Sequence, residues 1–97
     1  MALTFEWDEE KADINLKKHQ VSFEEAKTVF NDPVSITIAD PGYSLDEERY
    51  IDIGMSSKGQ VLVVVYTERR ESIRLISCRK ATKQEQRVYE RYEQDSI

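Results

Sequence analysis

The stretch Gln60–Ala81, QVLVVVYTERRESIRLISCRKA, limits what this chain can fold into more than any other part of it. Val61-Leu62-Val63-Val64-Val65-Tyr66 is β-branched or aromatic except at Leu62, which suits a strand buried on both faces. A charged break, Glu68-Arg69-Arg70-Glu71, follows, and the chain returns as Ser72-Ile73-Arg74-Leu75-Ile76-Ser77-Cys78. Two such runs around a tight polar break read as a β-hairpin at the centre of an antiparallel sheet. The second run carries Arg74 within it and Arg79 and Lys80 at its end, so a stiff strand presents groups that can hold a phosphate. With Arg69-Arg70-Glu71 as the loop, Tyr66 lies opposite Arg74 and Leu62 opposite Cys78, all on one face. An even-numbered loop would pair Tyr66 with Ile73 instead, because a one-residue shift changes the face of every partner.

The flanking sequence supplies helices on one side of this hairpin and strands on the other. Leu3–Trp7 alternates as a short strand, and Asp8 caps a helix that begins with Glu9 and Glu10 and ends with Lys17, Lys18 and His19. Its expected buried stripe is Ala12, Leu16 and His19, with Asn15 beside it. Ser22 and Glu25 form a capping box for a second helix that packs Phe23, Ala26 and Phe30 and stops at Asn31-Asp32-Pro33, with Val21 stapled against Ala26. Val34–Ile38 alternates as a strand. Asp40-Pro41-Gly42-Tyr43 is a turn, followed by an exposed, mobile acidic loop to Glu48 and a further strand to Gly54. Thr82 and Glu85 cap a final helix in which Val88 and Tyr92 are expected to face the sheet. Lys83, Arg87 and Arg91 there fall at i, i+4 and i+8 as one basic edge. The expectation is a single α+β domain over residues 1–97, in the order β-α-α-β-β-β-β-α, with an antiparallel sheet.

The 97 residues suffice for one core, and their composition is that of an ordinary globular protein. No apolar run approaches the ~20 residues of a membrane helix, and no basic-then-apolar N-terminus marks a signal peptide. The single cysteine, Cys78, fits a reducing cytoplasm. The net charge of −5 conceals an asymmetry: residues 1–48 hold twelve acids and four bases, whereas residues 69–91 hold eight bases and three acids. Such a local excess is what a polyanion would meet, although the same residues could simply solvate a C-terminal helix.

One His and one Cys far apart make a dedicated metal centre unexpected, and no glycine-rich phosphate loop or nucleophile elbow is present. Cys78, inside an apolar strand pattern, reads as core filling. The remaining set of arginine, lysine, tyrosine and one histidine suits cleavage of RNA without a metal or other cofactor. There the 2′-hydroxyl attacks its own phosphate, arginine forks offset the developing charge, and histidine moves a proton. Against this, Arg74 could be spent on a salt bridge to Asp52 or Glu68, and His19 could merely cap its helix.

Several segments carry a family resemblance: Phe5-x-Trp7-Asp8, Asn15, Lys18-His19-x-Val21-Ser22-Phe23-x-Glu25-Ala26, Phe30-x-Asp32-Pro33, Glu48-Arg49, Ile53-Gly54, Val63–Arg69 and Ile73–Thr82. In these the chain resembles the BrnT toxins of bacteria. The resemblance implies a RelE-like ribonuclease fold and a type II toxin–antitoxin role. It further implies a BrnA-like antitoxin with a ribbon-helix-helix domain, in a heterotetramer that binds operator DNA through the antitoxin. His19, Tyr66, Arg74 and Arg79 are then the catalytic candidates, with Arg49 and Lys80 supporting RNA and the Lys83, Arg87, Arg91 edge guiding it. In this view Arg74 and Arg79 clamp the scissile phosphate and His19 or Tyr66 handles a proton. The alternative is a module that binds its partner or nucleic acid and cuts nothing.

Overall fold

The computed structural model describes residues 3–40 and 48–95; most of the turn and acidic loop expected between Asp40 and Glu48 lies outside them. The elements are β1 (Thr4–Glu6), α1 (Glu9–His19), α2 (Phe23–Ala26) continued by a 3₁₀ segment (Lys27–Asn31), β2 (Ile36–Ala39), β3 (Arg49–Met55), β4 (Val61–Arg69), β5 (Ser72–Lys80) and α3 (Lys83–Asp95). The expected order is found. The strands form one sheet in the order β1-β5-β4-β3-β2. β2 to β5 pair antiparallel, while β1 adds to the far side of β5 in parallel.

Local chemistry starts each helix where the sequence places it. Asp8 Oδ1 accepts the N–H groups of Glu10 and Lys11 at 2.9 and 3.2 Å, and Ser22 Oγ accepts that of Glu25 at 3.0 Å. Thr82 and Glu85 bond reciprocally, each side chain accepting the other's N–H. Glu25 does not reciprocate in this way. Its buried carboxylate accepts Ser56 Oγ at 2.7 Å and Gln60 Nε2 at 2.8 Å, tying α2 to the β3–β4 turn.

The core lies on one face of the sheet. Leu62, Val64 and Tyr66 of β4 and Ile73, Leu75 and Cys78 of β5 pack against Val21, Phe23, Ala26 and Val29. Gly54 has no side chain because the 3₁₀ segment passes so close: a Cβ there would meet Val29 Cγ1 at 2.8 Å and Ser35 Cβ at 2.9 Å.

Two expectations about side-chain direction fail, for one kind of reason. In α1 the buried residue is Asn15, and Leu16 is 47% exposed. Asn15 Nδ2 donates to the carbonyls of Cys78 and Val21, and Cys78 N–H donates back to Asn15 Oδ1, so this amide sets the rotation of the helix. In α3 Tyr89 is buried while Val88 and Tyr92 are about half exposed. Glu85 is tied to Arg79 and Tyr89 Oη donates to Asp32 at 2.6 Å, so residues 85 and 89, one turn apart, face inward together.

Candidate nucleic-acid interface

The central hairpin turns on two residues, Arg70 and Glu71, because Arg69 pairs with Ser72. Arg70 adopts φ 48°, the left-handed value that a tight hairpin turn uses. That turn pairs Thr67 with Arg74 and Tyr66 with Leu75, and a bulge at Val65/Tyr66 then shifts the register, so Val64 pairs with Cys78 and Leu62 with Lys80. The three-residue loop that would set Tyr66 opposite Arg74 is therefore corrected: the two side chains occupy opposite faces.

Strand alternation builds the second face from Arg49, Ile51 and Ile53 of β3, Val63, Val65 and Thr67 of β4, and Arg74, Ser77 and Arg79 of β5. Ile51, Ile53 and Val65 are only half-buried, so this face is more open than the helix side. Arg49, Thr67, Arg74 and Glu6 stand in one row across β3, β4, β5 and β1. Arg74 Nη1 lies 3.7 Å from Glu6 Oε1, and Arg69 Nη1 lies 3.8 Å from the same oxygen. Arg74 thus has an acidic partner, but it is Glu6 rather than Asp52 or Glu68.

Arg79 stands on the same face in the row of Val63, four residues along β4, or ~13 Å from the row of Arg74 at the usual strand rise. Arg79 makes a bidentate pair with Glu85, at 2.8 and 2.9 Å. The Arg79 hydrogen bond, opposed by burial and helped by Thr82 N–H, holds the Glu85 carboxyl down at about 2. From Glu85, α3 crosses this end of the sheet to Tyr89 and Asp32, leaving Lys83, Arg87 and Arg91 exposed along it.

The other candidates are dispersed. His19, half-buried at the end of α1, shares a groove of about 210 Å³ with Lys11, Lys18, Ile76 and Ser77. It therefore borders the part of β5 between Arg74 and Arg79. Lys80 is exposed, on the helix side by register. Tyr66 is 5% exposed and its hydroxyl donates to Asp52 Oδ1 at 3.0 Å. Burial first, then the Asp52 charge and this bond, push its phenol well above the ordinary range. Burial likewise raises the Asp52 carboxyl, although bonds from Thr37 and Tyr66 oppose the shift. Burial pushes the Cys78 thiol up to about 11, which suits core filling. Among the described residues no three His, Cys, Asp or Glu side chains come together so as to hold a metal ion, and no helix is long and apolar enough to cross a membrane.

Residues the sequence did not single out complete the interface. Glu6 and Glu85 are its internal counter-charges, and Thr67 is 1% exposed with no hydrogen-bond partner for Oγ1. Glu85 was visible only as a helix cap. Glu6 and Thr67 become visible only once the strand register is known.

A family model described as the ribonuclease toxin BrnT of type II toxin–antitoxin systems matches residues 7–85. Among solved structures, the crystal structure of the Brucella abortus ribonuclease toxin BrnT is similar in fold, with a TM-score of 0.63 and 19% identity. That match covers 84% of this chain and 100% of the other. No curated protein matches the chain.

Proposed function

The chain belongs to the BrnT family of ribonuclease toxins of type II toxin–antitoxin systems, and we propose on that footing that it cuts mRNA endonucleolytically and without a metal ion. The observation that carries this reading is the strand register, which sets Arg49, Arg74 and Arg79 on one sheet face away from the core. RNA lies along β5, with one phosphate at the Arg49 and Arg74 row and another at Arg79, where guanidinium forks match phosphate oxygens. The 2′-hydroxyl attacks the adjacent phosphorus, so no outside nucleophile is needed. His19, bordering the intervening part of β5, moves a proton. Tyr66 has no direct part, since it faces the core and is bonded to Asp52. The exposed Lys83, Arg87 and Arg91 edge guides the strand beyond Arg79.

Family membership implies an antitoxin. We assign that role to a BrnA-like ribbon-helix-helix protein, which pairs with the toxin in a cytoplasmic heterotetramer and carries it to operator DNA. Cleavage of RNA by the purified chain in EDTA tests the enzymatic reading. Arg74→Ala is expected to lower the rate by about 10²–10³, the usual loss on removing a donor to developing charge. Cleavage that needs an added divalent cation, or that survives Arg74→Ala unchanged, contradicts the reading.

A second reading rests on the same arginines. Arg74 and Arg79 each meet a carboxylate within the chain, as expected of a non-catalytic subunit that binds beside a ribbon-helix-helix repressor. Growth arrest on expression that Arg74→Ala relieves favours the enzyme. A harmless wild type that sharpens operator binding by its partner favours the subunit.

A further inference from the structure

We propose that Arg49, Thr67 and Arg74 form a seat for a phosphate oxyanion, and that Glu6 is a built-in competitor which closes that seat when no ligand is bound. The inference rests on the ribonuclease reading for its natural ligand, an RNA phosphodiester, but the seat itself can be tested apart from cleavage.

Three independent observations meet at this row. The first is the register, which sets Thr67 between the two arginines on the open face. The second is that Thr67 Oγ1 is buried without a partner. A hydroxyl removed from water without a hydrogen bond is costly, and such groups in native proteins call for an explanation. An oxygen of a bound anion, placed between Arg49 and Arg74, would accept that hydroxyl. The third is the position of Glu6. One carboxylate oxygen lies 3.7 Å from Arg74 and 3.8 Å from Arg69, in partly exposed pairs far looser than the 2.8 Å contact of Arg79 with Glu85.

A loose, solvated pair contributes little and is readily exchanged. A phosphodiester brings the same single charge, and its two non-bridging oxygens, each with more than one lone pair, can accept from a guanidinium fork and from Thr67 together. Room for the rest of a nucleotide lies alongside, in a groove of about 680 Å³ lined by Thr4, Glu6, Arg69, Arg70, Glu71 and Ser72. Thr67 Oγ1 is covered, so the seat opens only as the side chains over it move, with Arg74 exchanging Glu6 for the anion. Glu6 thus sets the threshold that a ligand must exceed.

The test is a titration of the full chain with inorganic phosphate, followed by NMR at the Thr67 amide and the arginine side chains. It compares wild type, Glu6→Gln, Thr67→Val and Thr67→Ser, each shown to be folded by its thermal unfolding curve. The seat predicts that Glu6→Gln tightens phosphate binding by about two- to fivefold, the order expected for losing a partly exposed charge pair. It predicts a comparable weakening in Thr67→Val and recovery in Thr67→Ser, which restores the hydroxyl. No gain in Glu6→Gln, unaltered binding in Thr67→Val, or the absence of a phosphate-dependent change at Thr67 in Glu6→Gln overturns it. A parallel RNA digestion separates the two claims. Cleavage without phosphate binding at Thr67 removes the seat and leaves the ribonuclease, whereas phosphate binding without cleavage does the reverse.

Discussion

Asn15 satisfies both backbone polar groups of Cys78, at 2.9 and 3.1 Å, and adds a bond to the Val21 carbonyl. β1 pairs only with Ser72–Arg74 of β5, so the amide supplies at Cys78 the partners that a neighbouring strand would have given. Asn15→Leu retains the bulk but strands three buried groups, and should cost about 2–4 kcal/mol. A urea unfolding series checks it, and a loss near zero would show that water replaces the amide. Gly54 is a steric counterpart. A methyl there meets Val29, itself fully buried, at 2.8 Å, so Gly54→Ala should lose about 1–3 kcal/mol by the same measurement. Asn15 drew notice in the sequence only as a neighbour of the apolar stripe. Its amide contacts depend on a residue 63 positions away, which helical periodicity cannot register.

Elements were legible where their signals are local and hidden where they are not. The caps at Asp8, Ser22 and Thr82 act over two or three residues, so a side chain and the first turn it serves are read together. The central hairpin was legible as a hairpin but not in register. Arg70 turns left-handed without the Asn-Gly or Asp-Gly signal that usually marks a two-residue loop, and the bulge at Val65/Tyr66 leaves no trace in a run of valines. Those two features decide which residues share a face, and they removed Tyr66 from the arginine surface. The phase of α3 escaped similarly, because it follows Arg79–Glu85 rather than the apolar residues. That contact also makes α3 sensitive to acid. The Glu85 carboxyl, held down at about 2 chiefly by Arg79, ionises more readily folded than unfolded, where ~4.3 is usual. Its contribution is complete above pH ~4.5 and is lost as pH falls toward 2. Because the Arg79 side chain is 41% exposed, solvent screening limits the contribution to about 1–2 kcal/mol. Glu85→Gln should therefore lose stability at pH 7 yet show a flatter decline between pH 4.5 and 2. Thermal unfolding across that range checks it, and parallel pH profiles would contradict it.

One sheet with two unlike faces organises the molecule. The helix side is closed by Val21, Phe23, Ala26 and Val29, and the opposite side carries half-buried isoleucine and valine between rows of arginine. The acidic half of the sequence contributes Glu6, which meets the arginines from within. Composition alone revealed the basic segment that supplies this face, whereas its alignment across three strands required the fold. In the proposed cleavage the RNA's own 2′-hydroxyl attacks, promoted by those arginines. Its most direct test is the chemistry of the ends that the purified chain leaves on a short RNA in EDTA. Intramolecular attack predicts a 2′,3′-cyclic phosphate on the upstream fragment and a 5′-hydroxyl on the downstream one, with both lost in Arg74→Ala. A 3′-hydroxyl paired with a 5′-phosphate, or uncut RNA, would contradict it.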